Sequence, residues 1–144
     1  MYLSEEDFFN DYFDGYPIDP TEENMKAVRS FCLEKWRERH LEMGGAETDL
    51  PNDLSNSCKF TALLGAVIFG ADIGGNYDHV FNVLDGRIID INAEAADVKA
   101  LANPYRHDDD FIASGDFQDS MDTCIDRVEG WICEFEPPVA PTLS

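Results

Sequence analysis

Basic side chains are scarce: ten lysines and arginines face thirty aspartates and glutamates, for a formal net charge of −20. Such a field repels nucleic-acid phosphates and anionic lipid headgroups, so direct binding to DNA, RNA or a membrane is not expected. The same surplus suits a basic protein partner, which leaves a non-catalytic reading in which the chain blocks a cationic surface or mimics nucleic acid. No apolar run approaches the roughly 20 residues that span a bilayer. The opening residues Met1 to Asp7 are acidic where an export signal is basic and then apolar. The expected location is the cytoplasm, with non-classical secretion as an effector the alternative.

Metal-ligand spacing is also missing. The four cysteines, Cys32, Cys58, Cys124 and Cys133, form no C-x-x-C pair, and His40, His79 and His107 are scattered. Neither a structural metal site nor a cofactor is expected, and the thiols should be reduced. Cys32, Cys124 and Cys133 are read as core thiols, and His40 and His107 as surface histidines.

Repeats and low-complexity linkers are absent too. With 44% hydrophobic residues over 144 positions, the chain predicts one domain over residues 1–136 and a disordered tail over 137–144. Residues 1–18 are aromatic and acidic and suggest a short helix packed on the body. Asp19-Pro20-Thr21-Glu22 has the form of a helix start capped by Asp19. That helix should run to Met43, bury Met25, Val28, Phe31, Cys32 and Trp36, and stop at Gly44-Gly45. Its bases, Lys26, Arg29, Lys35, Arg37 and Arg39, read as a solvated face.

After a polar loop the chain turns apolar from Cys58 to Gly70, a central buried helix with Ser55 and Ser57 as candidate caps and Gly70 as its stop. A glycine loop (Gly74-Gly75-Asn76) then leads to a hairpin. Residues 79–84 and 87–92 flank Asp85-Gly86, a strong two-residue turn signal. A helix is expected over 93–102, a loop at Asp108-Asp109-Asp110, and a last helix over about 117–133. The fold class is therefore α+β.

Three of these features carry chemistry together. Cys58 opens the buried helix, where the partial positive charge of a helix N-terminus favours a thiolate. His79 opens the first hairpin strand. With Asp85-Gly86 as the whole turn, Phe81 faces Asp90 and His79 faces Asn92, which leaves Asp90 diagonal to His79 on one sheet face. Asp90 is the preferred group to orient the imidazole and Asn92 the reserve; a one-residue slip would throw Asp90 to the other face. The Cys58 backbone N–H is one oxyanion donor, and the side-chain amide of Asn52 or Asn56 is the candidate for the second. A thiol, an imidazole and a carboxylate in this order are the parts of a nucleophilic acyl-transfer site.

The segments Cys58-Lys59-Phe60-Thr61-Ala62-Leu63-Leu64, Phe69-Gly70, His79-Val80-Phe81-Asn82 and Asp85-Gly86-Arg87-Ile88-Ile89-Asp90-Ile91-Asn92 resemble the YunG-like group of bacterial proteins. That group has the pattern C-x-x-T-A-L, F-G-G, H-x-x-N, D-G, D-x-T on small papain-fold domains. The chain is also similar to papain-fold toxin and deamidase domains. The match spans roughly residues 55–95, with Ala71 in place of the second glycine and Asn92 in place of the threonine. The resemblance implies a papain-like domain of NlpC/transglutaminase type, with the Cys-bearing helix packed on an antiparallel sheet. It places Cys58, His79 and Asp90 at the catalytic positions. The expected activity, read from the triad, is that of a peptidase, amidase or glutamine deamidase acting on a protein or peptide. Asn82, on the sheet face opposite His79, is read as structural.

Overall fold

A computed structural model of the chain describes residues 16–137. Nearly all of the expected N-terminal helix, and the tail from 138 onward, lie outside the described residues. Among the described residues the architecture is α+β: five α-helices and a three-stranded antiparallel sheet in the order β1-β2-β3. One cluster of buried apolar side chains runs from Ile18 to Phe135.

The first helix, α1 (Glu22–Glu42), is capped by Thr21 rather than Asp19; the Thr21 hydroxyl accepts the Asn24 N–H at 3.1 Å. Asn24 is buried and gives its side-chain amide to the Asp19 carbonyl at 2.8 Å. Residues 19–21 are thereby held ahead of the helix, which shifts the cap by two positions. Of its bases Lys26 is exposed as expected, and the others are not a solvated face. Lys35 is 9% exposed and pairs with Glu134 at 2.8 Å, Arg37 donates to the Pro51 carbonyl at 3.1 Å, and Arg29 reaches the carbonyls of Asp90 and Ile91. A 3-10 turn (Glu47–Asp49) follows.

Helix α2 (Cys58–Ile68) is buried from Thr61 to Ile68 and is stopped just beyond its Phe69 cap by Gly70, whose φ of +65° lies in the left-handed region that favours glycine. The glycine loop after it is a strand, β1 (Asp72–Gly75), paired with β2 (Val80–Leu84) in the register Gly75↔Val80. Glycine hides this strand from any propensity argument, and packing requires it: a Cβ on Gly75 would lie 2.8 Å from the His79 carbonyl oxygen. Strand β3 (Arg87–Ile89) completes the sheet.

The helix expected over 93–102 shrinks to α3 (Ala96–Lys99), because the chain first makes tight turns, Ala93 N–H to Asp90 O and Ala95 N–H to Asn92 O. The triple aspartate is a helix start rather than a loop. Asp108 caps α4 (Asp109–Ala113) by accepting the Phe111 N–H at 3.1 Å. Helix α5 (Gly115–Glu134) buries Phe117, Met121, Cys124, Val128, Trp131 and Ile132. Cys133, expected in the core, is exposed on this helix. None of the described helices is long and apolar enough to cross a membrane.

α2 packs against both β2 and α5. Its contact with the sheet is a polar clasp: the buried Asn82 gives its side-chain amide to the Ala62 carbonyl at 2.9 Å and also reaches Asp72 O. Gly65 leaves room for that amide, since a Cβ there would run into Asn82. Gly65→Ala should therefore cost about 1–3 kcal/mol in urea denaturation. Pairing it with Asn82→Ala should give a double mutant less destabilised than the sum of the two changes; strict additivity would show that the two residues do not meet.

Candidate active site

The hairpin closes at Asp85-Gly86, with φ of 52° and 78°. Both central residues are left-handed, as a two-residue turn matching strand twist requires. The ladder pairs Leu84 with Arg87, Val83 with Ile88 and Asn82 with Ile89. This is the register expected from the turn signal. Continued past the ladder, it brings Asp90 diagonal to His79, and the His79 Nε2 lies 2.8 Å from Asp90 Oδ2, with side-chain exposures of 2% and 4%.

Asp90 is held on every side. Its Oδ2 also accepts the Tyr105 hydroxyl at 2.9 Å, and its Oδ1 accepts the Asn92 N–H at 3.0 Å. Arg29 donates to the carbonyls of Asp90 at 3.1 Å and Ile91 at 3.0 Å. Burial, followed by the charge and hydrogen bond of Asp90, raises the Tyr105 phenol above its ordinary pKa, so it acts as a donor. His79 is held as firmly. Asn76 Oδ1 accepts the N–H groups of Asp78 and His79, while its amide nitrogen donates to the carbonyls of Pro104 and Arg106. Phe81 and Tyr105 flank the imidazole ring.

Cys58, half-buried, occupies the first position of α2. It lies close enough to the imidazole to help set its titration. Burial alone would lower the His79 pKa. The hydrogen bonds to Asp90 and Cys58 and the negative charge of both partners outweigh that and raise it to about 9. With Nε2 committed to Asp90, Nδ1 is the ring nitrogen left for the sulfur.

The loop before Cys58 is tied down by the segment that follows the hairpin. Asp53 accepts the N–H groups of Ser55 and Ala96, Asp97 accepts that of Asn56, and Ser55 Oγ accepts that of Asp97. Asn92 completes the clamp, giving its side-chain amide to Leu54 O at 3.2 Å and Ser57 Oγ at 3.1 Å. Its expected reserve role is thereby corrected: it braces the loop that leads into Cys58, and the carboxylate on the ring is that of Asp90. Ser55 does not cap α2, and Ser57 stands at the cap without a side-chain bond to the helix. Its hydroxyl donates to Leu54 O instead. Asn52 and Asn56 are both exposed on this loop, and their side-chain amides bond no other described residue. Asn56 has a φ of 71°, a conformation asparagine tolerates better than most residues.

His40 contacts the Ala46 carbonyl, and His107 bridges Asp109 and the Gly75 N–H; both lie away from Cys58 in the sequence and in their bonding. Among the described residues no three or more His, Cys, Asp or Glu side chains form a metal-holding group. Tyr105, Arg29 and Asn76 were not anticipated as site residues. Only Asn76 carries a local signal, the Asx turn in Asn76-Tyr77-Asp78. Comparison with protein-family models, curated proteins and solved structures gives no match for the chain.

The raised His79 pKa makes a stability prediction. The folded protein binds this proton up to about pH 9, against an ordinary value of 6.5. Its stabilising contribution is complete below about pH 6.5 and is lost as the pH rises through 9. Thermal melts across that window should show the wild type losing stability more steeply than His79→Gln. Parallel curves for the two proteins would contradict the shift.

Proposed function

We propose that the chain is a cysteine-dependent amide hydrolase or acyl-transfer enzyme, with Cys58 as nucleophile, His79 as proton shuttle and Asp90 as the orienting carboxylate. The observation that carries this reading is the buried 2.8 Å His79–Asp90 pair, with Cys58 at a helix N-terminus close enough to help raise the imidazole pKa. A papain-like domain, with its thiol-bearing helix laid on an antiparallel sheet, is the fold this arrangement fits best. Protein or peptide amides are the substrate class, and peptidase, amidase and glutamine deamidase activities share the chemistry. A reducing cytoplasm would keep the free thiol available.

In the first half-reaction the Cys58 sulfur forms a bond to the amide carbonyl carbon. The resulting oxyanion is met by the Cys58 backbone N–H, which the first helical turn leaves without an internal acceptor. The C–N bond then breaks, and the leaving amine takes its proton from the His79 imidazolium. In the second, His79 accepts a proton from water as the water oxygen attacks the thioester. The C–S bond breaks, the carboxylic acid departs, and the sulfur returns with the proton shared again with His79. Asp90 keeps the ring oriented through both halves and favours its cationic form.

One observation favours a second, compatible reading. Asp116, Asp119, Asp122 and Asp126 lie exposed along α5, a stripe suited to a basic protein partner.

Site-resolved alkylation tests the first reading with an internal control. Cys133 is exposed and Cys58 only half-buried, so access alone favours Cys133. The triad predicts that Cys58 reacts faster at neutral pH and slows at least about tenfold in His79→Ala, with Cys133 unchanged. Faster labelling of Cys133, with Cys58 indifferent to His79, would overturn the reading. Cys58→Ala should also abolish turnover of any amide substrate found.

A further inference from the structure

Between α1, the 3-10 turn and the loop that runs into Cys58 lies a cavity of about 480 Å³, lined in part by Trp36, Arg39, His40, Asp49, Asp53 and Asn56. One of these groups stands out chemically. The Arg39 guanidinium carbon lies 5.0 Å over the Trp36 ring and 5.0 Å over the Phe60 ring. Its Nε is buried without a hydrogen-bond partner, and no described carboxylate pairs with it. Arg29, Arg37, Arg106 and Arg127 all have oxygen partners, and Arg87, the other arginine without one, is exposed on β3. In a chain with thirty acidic residues, a guanidinium pre-ordered against two adjacent rings and without a carboxylate partner has its terminal N–H groups left for a planar anion. Its fixed fork matches a carboxylate, and its ordering leaves little entropy to lose on pairing.

The acids in the same wall do not take that role. Asp53 has both oxygens on backbone N–H groups, of Ser55 and Ala96, and Asp49 is exposed on the 3-10 turn. His40 is turned to the Ala46 carbonyl at 3.0 Å. The cavity reaches the loop that leads into α2: Ser55 and Asn56 in its wall precede Cys58 by three and two positions, and Phe60, the second ring against Arg39, stands on the first turn of the same helix. The charges meet in the same region. Burial raises the Cys124 thiol, a bond from Thr123 and the charges of Lys59 and Arg39 oppose that, and Cys58 acts on it too.

We propose that this cavity recognises a carboxylate on the substrate, taken by Arg39, while the amide to be cleaved reaches Cys58. The inference rests on the acyl-transfer reading of Cys58 and adds the substrate class, an amide carrying a nearby carboxylate. That carboxylate belongs either to a chain terminus or to an acidic side chain.

The ratio of iodoacetate to iodoacetamide alkylation rates at Cys58 tests it, because thiol reactivity cancels in the ratio. Arg39→Gln should lower the ratio about three- to fivefold, as expected when one attractive charge is removed from a partly screened site, and Arg39→Lys should retain most of it. Should Arg39→Gln fail to fold, the salt response of the wild type decides instead. Added salt lowers the ratio if Arg39 attracts the anion, and raises it if only the −20 net charge acts. A ratio untouched by Arg39→Gln, or raised by salt, would overturn the inference while leaving a His79-dependent Cys58 intact. A Cys58 indifferent to His79 would overturn the underlying reading as well. Protection of Cys58 from iodoacetamide then separates the sources. Protection by N-acetylglycine assigns a terminal carboxylate, and protection by the α-amide of N-acetylglutamate an acidic side chain. Protection by neither counts against the proposal.

Discussion

An imidazole and a carboxylate share one proton-bearing contact of 2.8 Å where almost no water reaches either. A buried carboxylate left alone costs several kcal/mol, and so does a buried polar ring without a partner. Each group makes the other's burial tolerable, and the surrounding bonds complete the balance: Tyr105 and the Asn92 N–H on the carboxylate, Asn76 on the backbone of the histidine. The left-handed two-residue turn at Asp85-Gly86 makes the contact possible, because it admits only the register that leaves both groups on one face.

The segment from Asp90 to Asp97 serves two ends at once. Its first residue orients the imidazole. Its later residues, Asn92, Ala96 and Asp97, hold the loop that delivers Cys58 to the start of α2. Both halves of the site are thus positioned by one short stretch of chain, itself anchored to α1 by Arg29. A substitution anywhere in that stretch is expected to act on the sulfur–imidazole geometry as well as on stability. α2 is fixed from behind by its packing on α5 and by the Asn82 clasp, so the thiol rests on a rigid element.

How much of this was legible depends on how local the cause is. Asp85-Gly86 states its turn in two residues, and the pairing of His79 with Asp90 followed by counting. The apolar run from Cys58 to Gly70 stated the buried helix and its end. By contrast, β1 is written in Asp72, Ile73, Gly74 and Gly75, where close approach to β2 selects against side chains and so removes the signal that marks strands. Arg29 and Tyr105 act on groups 61 and 15 residues away, and no periodicity encodes such contacts. The cap at Thr21 instead of Asp19 was decided by a buried Asn24 amide, a tertiary choice between two acceptable local ones. Asp108 was legible in principle, since a cap and a loop aspartate look alike until the following turn is seen to be helical.

The account stands on the protonation of one ring, and a nitrogen-detected NMR titration of His79 reads it directly. The account predicts an imidazolium that persists through neutral pH and titrates near 9, with Nε2–H bonded to Asp90, and a titration that moves down in Asp90→Asn. A ring already neutral at pH 7, or one whose titration is the same with and without the Asp90 carboxylate, would contradict it.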